Sequence, residues 1–421
     1  MTGARFIDPM TCAVFCIGTE LTRGELVDTN GPWLAAALTD LGFEVAEKAT
    51  VDDDPARIIA TLKRLAGWAK VIVCTGGLGP TTDDMTSEAV AEALGVPVER
   101  DEGSLDAIRR RFEKIGRTMS ESNAKQADFP RGADVLANPI GTAPGFCVTI
   151  GEATAFFMPG VPREMKRMFD EQVVPRIRPL APNDSHQVRL RTFGLPESIV
   201  GERLAGIEET FTGVTIGYRA HFPEIEVKVL ARARDEASAH ALCDAAAAEV
   251  KKRLADVVYG DGDDTFAGVV GRALRSRGYT LAIAESCTGG LVGHMLTREP
   301  GASDFLLVDA VTYANSAKTQ LLGVGEDVLR GHGAVSAEVA AAMAEGVRRV
   351  SGADVALSLT GVAGPTGGTD EKPVGTVYIA LASPKGTIVK HRSLGSFGDR
   401  VMIQTLASYV GLQLVREACA V

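Results

Sequence analysis

From Thr11 the chain alternates between two hydrophobic periods. CAVFCIG, from Cys12, is a continuous apolar run that predicts a buried strand, and PWLAAALTDLG puts Leu34, Leu38 and Leu41 on one face of a helix. PARIIATLKRLAGWA predicts a second helix and KVIVCT another buried strand, giving βαβα order and a mostly parallel sheet covered by helices. The proline-rich stretch VVPRIRPLAPNDSH closes that region. QVRLRTFG, PESIVGERLAGI, EIEVKVLARA and an alanine-rich helix from Asp235 to about Ala255 then form a small α/β connector without a compact catalytic motif. Past the turn YGDGDDT comes a third α/β region. Its helix FAGVVGRALRSRG, strand YTLAIAE, helix from Gly289, strand FLLVDAVTY, helix SAEVAAAMAEGVRRVSG, strands DVALSLTG and GTVYIALAS, and closing helix after Gly398 follow in order. The expectation is a multidomain α/β protein with domains at 1–178, 179–258 and 259–421. Ligands in such sheets sit beyond the carboxyl ends of strands, where the glycine motifs fall.

Composition narrows the chemistry. No apolar run reaches the roughly 18 residues of a membrane-spanning helix, and the opening MTGARFIDPMTCAVFCIG runs straight into a strand, unlike a signal peptide. A cytoplasmic protein without membrane partners is expected. Seven scattered cysteines fit a reducing compartment, and CAVFC, with no second Cys/His pair, fits core better than zinc. A net charge of −10 without a basic block argues against nucleic acid as partner and favours a small substrate.

Two constellations carry chemistry. In VCTGGLGPTTDDMT, Gly76, Gly77 and Gly79 follow a strand and lead into the helix near SEAVAEALG, so backbone N–H groups can approach an anion. Asp83 and Asp84 lie beside that cradle; a pair of carboxylates near phosphates suits a divalent cation, although one of them is expected to N-cap the helix. In LAIAESCTGGLVGHML, Ser286 follows a strand and precedes Thr288, Gly289 and Gly290 at the expected start of a helix. Helix N–H groups there suit the oxyanion of an acyl intermediate, and the bland alternative is an N-cap. Serine needs a base. His294 and His332 occupy no motif position, whereas Lys318 in VTYANSAKTQLLG follows Tyr313 across a strand–helix junction, where partial desolvation would let it accept a proton. A solvated helix lysine is the alternative, and Cys287 is a rival nucleophile.

GTEL...G...DTN, GGLGPT.DD, NPIGTAPGF and MPGVPREM, together with ESCTGG, Y.N..K, GAVS, TG.AGP.GG and PVGTVY, resemble the CinA family over nearly the whole chain. The resemblance implies an N-terminal molybdopterin-binding-like three-layer α/β domain that hydrolyses ADP-ribose with a divalent metal (Mg, Mn or Co) and K⁺. It assigns the metal to Asp84, Asp83 and Asp53 and the nucleotide to Asn30, Gly76, Gly77, Gly79 and Thr81. Asp52 stands where the family's Gly-Asp pair has glycine. For the C-terminal domain it implies a metal-free nicotinamide mononucleotide deamidase, with Ser286 as nucleophile activated by Tyr313 and Lys318. Thr288, Gly289, Gly290, Thr360, Gly361, Ala363, Gly364 and Arg400 would then line the substrate site. Gln404 occupies the place of an expected second arginine. Pyridine-nucleotide salvage by a homodimer is the implied role; a pterin- or nucleotide-binding module and a competence or DNA-recombination accessory protein are the alternatives.

Overall fold

The computed structural model describes residues 10–181, 183–395 and 399–420. Residues 1–9, which bear on the leader question, and Gly398, the expected marker of the closing helix, lie outside that set. The chain forms two compact units that divide within the connector: Met1–Gln187, Gly206–Thr215 and Val229–Ala248 make one, and Val188–Ala205, Ile216–Lys228 and Glu249–Val421 the other. Among the described residues no helix is long and apolar enough to cross a membrane.

The first unit contains β1 (Thr11–Ile17), β2 (Glu44–Val51), β3 (Val71–Thr75), β4 (Val98–Arg100), β5 (Asp128–Pro130), β6 (Asp134–Leu136), β7 (Gly145–Ile150) and β8 (Ala153–Met158). Six of these form a sheet in the order β2-β1-β3-β8-β7-β6, while β4 and β5 make a separate ribbon. Its centre is parallel, as expected, but β7 is antiparallel to both β6 and β8, and the turn at Gly151 returns the chain directly from β7 into β8. Alternation along β1 builds the three layers. Ala13, Phe15 and Ile17 pack with Ile58, Leu62 and Leu65 of the helix Pro55–Ala66 on one face. Cys12, Val14 and Cys16 pack with Leu34 and Leu38 of the helix Asn30–Asp40 on the other, so both cysteines of CAVFC belong to the core.

Connector residues supply β9 (Asp184–Phe193), β10 (Val214–His221), β11 (Glu224–Ala233) and β12 (Val258–Asp261), in the sheet order β10-β11-β9-β12, with the helix Glu236–Arg253. The C-terminal region has β13 (Leu281–Glu285), β14 (Leu306–Val311), β15 (Val355–Gly361), β16 (Thr376–Ser383) and β17 (Gly386–Ser393), in the order β14-β13-β15-β16-β17. β13 is parallel to β14 and β15; β16 is antiparallel to β15 and β17. Leu281 and Ile283 enter one core with Phe266, Leu357 and Leu412, and Ala282 and Ala284 a second with Leu322, Met343 and Val347.

The register decides where the chemistry lies. Glu285 pairs with Val311 and with Leu359, so the carboxyl ends of three parallel strands stop side by side. Ser286, Tyr313 and Thr360 are brought to one edge. Two local expectations are corrected there. The helix starts at Leu291, not Gly289, because Gly289 and Gly290 hold φ of +65° and +97°, which a right-handed helix excludes. The strand predicted to reach Tyr313 ends at Val311, which frees Tyr313 for the turn into the helix Asn315–Leu322.

Candidate functional site

In the N-terminal unit the loops after β1, β3 and β8 enclose a cavity of about 620 Å³. Asn30, Asp53, Gly76, Gly77, Gly79, Asp83 and Asp84 all line it, as do Asp28 and Gln126, which the motif analysis did not single out. Thr81 approaches through its contacts: its backbone N–H donates to Asp84 Oδ2 at 2.9 Å, and its hydroxyl lies against the carboxylates of both Asp83 and Asp84. The Thr81 hydroxyl holds the exposed Asp83 carboxyl below its ordinary range. Asp53 Oδ2 accepts from the Thr19 N–H at 2.7 Å and from its hydroxyl at 2.8 Å. Neither Asp83 nor Asp84 caps the helix Thr86–Leu94. Met85 occupies the N-cap without a side-chain bond, which corrects the capping expectation.

The glycines are required by close approach. A Cβ on Gly76 would lie 1.9 Å from the Ile17 carbonyl, and one on Gly79 would lie 2.4 Å from Asp84 Oδ2. A cation in this cavity meets hard oxygen donors: the three aspartates and the buried amide oxygens of Asn30 and Gln126, both without a hydrogen-bond partner. Among the described residues no group of three or more His, Cys, Asp or Glu is arranged to hold an ion by itself. The donor set therefore fits a cation that completes its shell with ligand oxygens, as Mg²⁺ does on phosphates.

At the C-terminal edge, Lys318 reaches Ser286. The lysine is 1% exposed, and its Nζ lies 3.1 Å from Ser286 Oγ, 2.8 Å from the Thr312 carbonyl and 3.2 Å from the Tyr313 carbonyl. Burial lowers its pKa from the ordinary 10.5. The solvated-lysine alternative is excluded by that burial. Tyr313 meets the lysine through its backbone carbonyl; its phenol is exposed and accepts from Arg400 Nη2 at 2.7 Å. Arg400 also donates to the Gly364 carbonyl at 2.8 Å. One turn along the same helix, Gln404 Nε2 donates to the Cys287 carbonyl at 2.8 Å, so the residue replacing the expected arginine braces the serine turn.

Other expected site residues have local duties. Thr360 gives its hydroxyl to the Ala334 carbonyl at 2.7 Å. Gly361 admits the Thr376 carbonyl, 2.7 Å from where a Cβ would stand, and Gly364 holds a φ of +73°. Ala363 is buried against the core, and the Thr288 hydroxyl is buried without a partner. The N–H groups of Gly290 and Gly293 both go to the carboxylate of Glu285 at 2.9 Å, so these donors at the helix start are not free for an oxyanion. Cys287 is 5% exposed, and burial pushes its thiol up to about 12, which disfavours the reactive thiolate.

Comparison with known proteins places the chain in a family. A CinA-like protein of Anaeromyxobacter dehalogenans is 43% identical over 415 residues, covering 97% of this chain and all of the relative. The chain belongs to the CinA family. Another CinA-like protein, from Geobacter sulfurreducens, is 44% identical over 410 residues, covering 97% of this chain and 99% of the relative. Three family models match in series: the probable molybdopterin binding domain over 13–179, the damage-inducible protein CinA KH domain over 187–260, and the CinA C-terminal domain over 263–419. The crystal structure of the competence/damage inducible protein CihA from Agrobacterium tumefaciens is 34% identical and covers 38% of this chain and 98% of its own, with a TM-score of 0.36.

Proposed function

We propose that the C-terminal region of this CinA-family chain is an amidase that converts nicotinamide mononucleotide and water to nicotinate mononucleotide and ammonia. One observation carries the reading: a buried lysine amine in contact with a serine hydroxyl and two carbonyls. A neutral amine has two N–H donors and one lone pair. Giving the donors to Thr312 and Tyr313 leaves the lone pair for the Ser286 hydroxyl proton. Ser286 Oγ then attacks the carboxamide carbon while Lys318 takes the proton. The amine returns it to the leaving nitrogen, and ammonia departs. Water, deprotonated by the same amine, cleaves the ester and restores the serine. Arg400, bonded to Tyr313 and Gly364, would pair with the nucleotide phosphate.

The test is ammonia release by the intact chain with EDTA present throughout, alongside Ser286→Ala and Cys287→Ala. Turnover by wild type and Cys287→Ala, with none by Ser286→Ala, supports the serine mechanism; a silent wild type defeats the substrate assignment.

The N-terminal cavity supports a second activity, hydrolysis of ADP-ribose at its pyrophosphate. Asp53, Asp83 and Asp84 with the amide oxygens of Asn30 and Gln126 would hold a divalent cation, and K⁺ where required, against the pyrophosphate. Bound there, the cation neutralises charge on the phosphates. The backbone at Gly76, Gly77 and Gly79 lets the anion come close, and Thr81 fixes the orientation of Asp83 and Asp84. Metal-dependent release of AMP and ribose phosphate tests this reading, and binding without turnover would leave a nucleotide-binding module.

A further inference from the structure

Directly behind the serine turn lie a buried carboxyl, Glu285, and a half-buried one, Asp309, that the amidase chemistry does not use. Glu285, the last residue of β13, is fully buried and divides its carboxylate between two backbone donors, Oε2 to Gly290 N–H and Oε1 to Gly293 N–H. These bonds bracket the five-residue loop from Ser286 and tie it to the end of the strand. Asp309, from neighbouring β14, points its carboxyl into the same space, so that the two carboxyls meet at Gly293. Gly293 makes room for it: a Cβ there would lie 1.9 Å from Asp309 Oδ2. Asp309 Oδ1 is buried and has no hydrogen-bond partner.

Two carboxyls in such contact cannot both ionise without strong repulsion. We propose that Asp309 is a positioning residue that, when protonated, donates a hydrogen bond to Glu285 and holds that carboxylate on the Gly290 and Gly293 N–H groups, fixing the turn that carries Ser286. The activity part of this proposal rests on the amidase reading; the positioning part does not.

Burial, and then the charge and hydrogen bond of Glu285, push the Asp309 carboxyl up to about 7. Other charged groups on the surrounding elements face elsewhere. His294, Arg298, Asp304, Glu338, Glu345 and Arg349 are exposed, Arg348 is bound to the Asp354 carbonyl, and Lys318 is turned to Ser286. Near neutral pH the clamp therefore changes state: protonated it holds, ionised it repels Glu285.

The experiment is amide hydrogen exchange of the intact chain, read on residues 286–297 across neutral pH and corrected for intrinsic exchange. In wild type, protection of the Gly290 and Gly293 amides is expected to fall roughly tenfold, the size of one charge-assisted hydrogen bond, as the pH rises through about 7. In Asp309→Asn, whose side-chain amide donates at every pH, protection stays level. In parallel, kcat on nicotinamide mononucleotide falls along the same alkaline limb in wild type with KM steady, and the limb is absent in Asp309→Asn. Level protection in wild type overturns the proposal without reliance on any variant, and so does an alkaline limb that survives Asp309→Asn. If protection behaves as expected and the substrate is not turned over, the amidase reading fails and the positioning role stands.

Discussion

Replacing Lys318 by methionine keeps a flexible apolar stem of four heavy atoms and removes the amine. Its loss withdraws the group that takes the Ser286 proton. General-base catalysis of this kind contributes roughly 10²–10⁴-fold, so kcat should fall within that range, with KM little changed because the amine contacts the nucleophile and two carbonyls. Arginine will not rescue it, since its guanidinium stays protonated. The stability effect has opposing parts. Stranding the Thr312 and Tyr313 carbonyls costs about 1–3 kcal/mol each, and removing a group that resists charging when buried offsets some of that. The pH dependence separates catalysis from folding. The Lys318 pKa is lowered by burial, so in the window below 10.5 the folded chain binds fewer protons than the unfolded chain. By linkage, this residue makes stability rise with pH through that window and makes turnover fall on the acid side as the amine becomes charged. Steady-state ammonia release and thermal melts across pH, on wild type and Lys318→Met, measure both. A variant within tenfold of wild-type kcat, or one that keeps the wild-type acid limb, would refute the assignment of the base.

Cys287→Ala is expected to keep near-wild-type kcat, because the thiol is 5% exposed and held at about 12; loss of activity comparable to Ser286→Ala, in a variant that melts normally, would reverse the choice of nucleophile. Gln404→Ala removes the donor to the Cys287 carbonyl and is expected to lower kcat/KM by about tenfold, as for one hydrogen bond that positions a turn; an unchanged kcat/KM would show that the brace is dispensable. Gly79→Ala drives a methyl to 2.4 Å from Asp84 Oδ2 and is expected to abolish ADP-ribose hydrolysis while leaving ammonia release intact, since the cavity belongs to the N-terminal unit. DNA binding in a salt titration should be weak and nonspecific: residues 187–260 match a KH model yet contain no Gly-x-x-Gly sequence to clamp a nucleic-acid backbone, and the chain carries −10 charge.

Much of the candidate site is legible because loops at strand ends use residue types that strands themselves avoid. Glycines after KVIVCT and after YTLAIAE mark loops at once, and they set the serine and the aspartate pair beside them at strand ends. The strands that escaped notice are β2, β4, β5, β6, β7, β8, β10, β12 and β17: β2, β10 and β17 carry charged or glycine-bearing sequences that weaken the hydrophobic signal, β4, β5 and β6 are three residues long, and β12 falls in a glycine- and aspartate-rich turn, whereas β7 and β8 are apolar and carry the signal in full. The start of the helix at Leu291 was hidden for a related reason. A glycine pair before an apolar run is compatible both with a helix already under way and with a left-handed turn, and only the contacts of Glu285 select the second.

Partners distant in sequence were harder to see. Nothing near Gln126 marks it as part of the cavity formed after β3, and its role follows from an amide oxygen buried there without a donor. Asp309 sits in an apolar run, FLLVDAV, where one acidic residue reads as a solvent-facing position on an edge strand. Its neighbour across the sheet is set by register, Ile283 against Asp309, and the space for its carboxyl by the missing side chain of Gly293. Lys318 shows the opposite case, in which local sequence is enough. Five residues separate it from Tyr313, and the last turn of backbone before its helix supplies both carbonyls that occupy its N–H groups. The proposed base has its N–H groups taken up by its own chain neighbours, while the turn that carries the proposed nucleophile is held by Glu285, whose neighbour Asp309 comes from a different strand. Substitutions in the YANSAK segment should therefore act on proton transfer, and substitutions at Glu285 or Asp309 on the placement of Ser286. The two classes are separable by which limb of the pH profile each one moves.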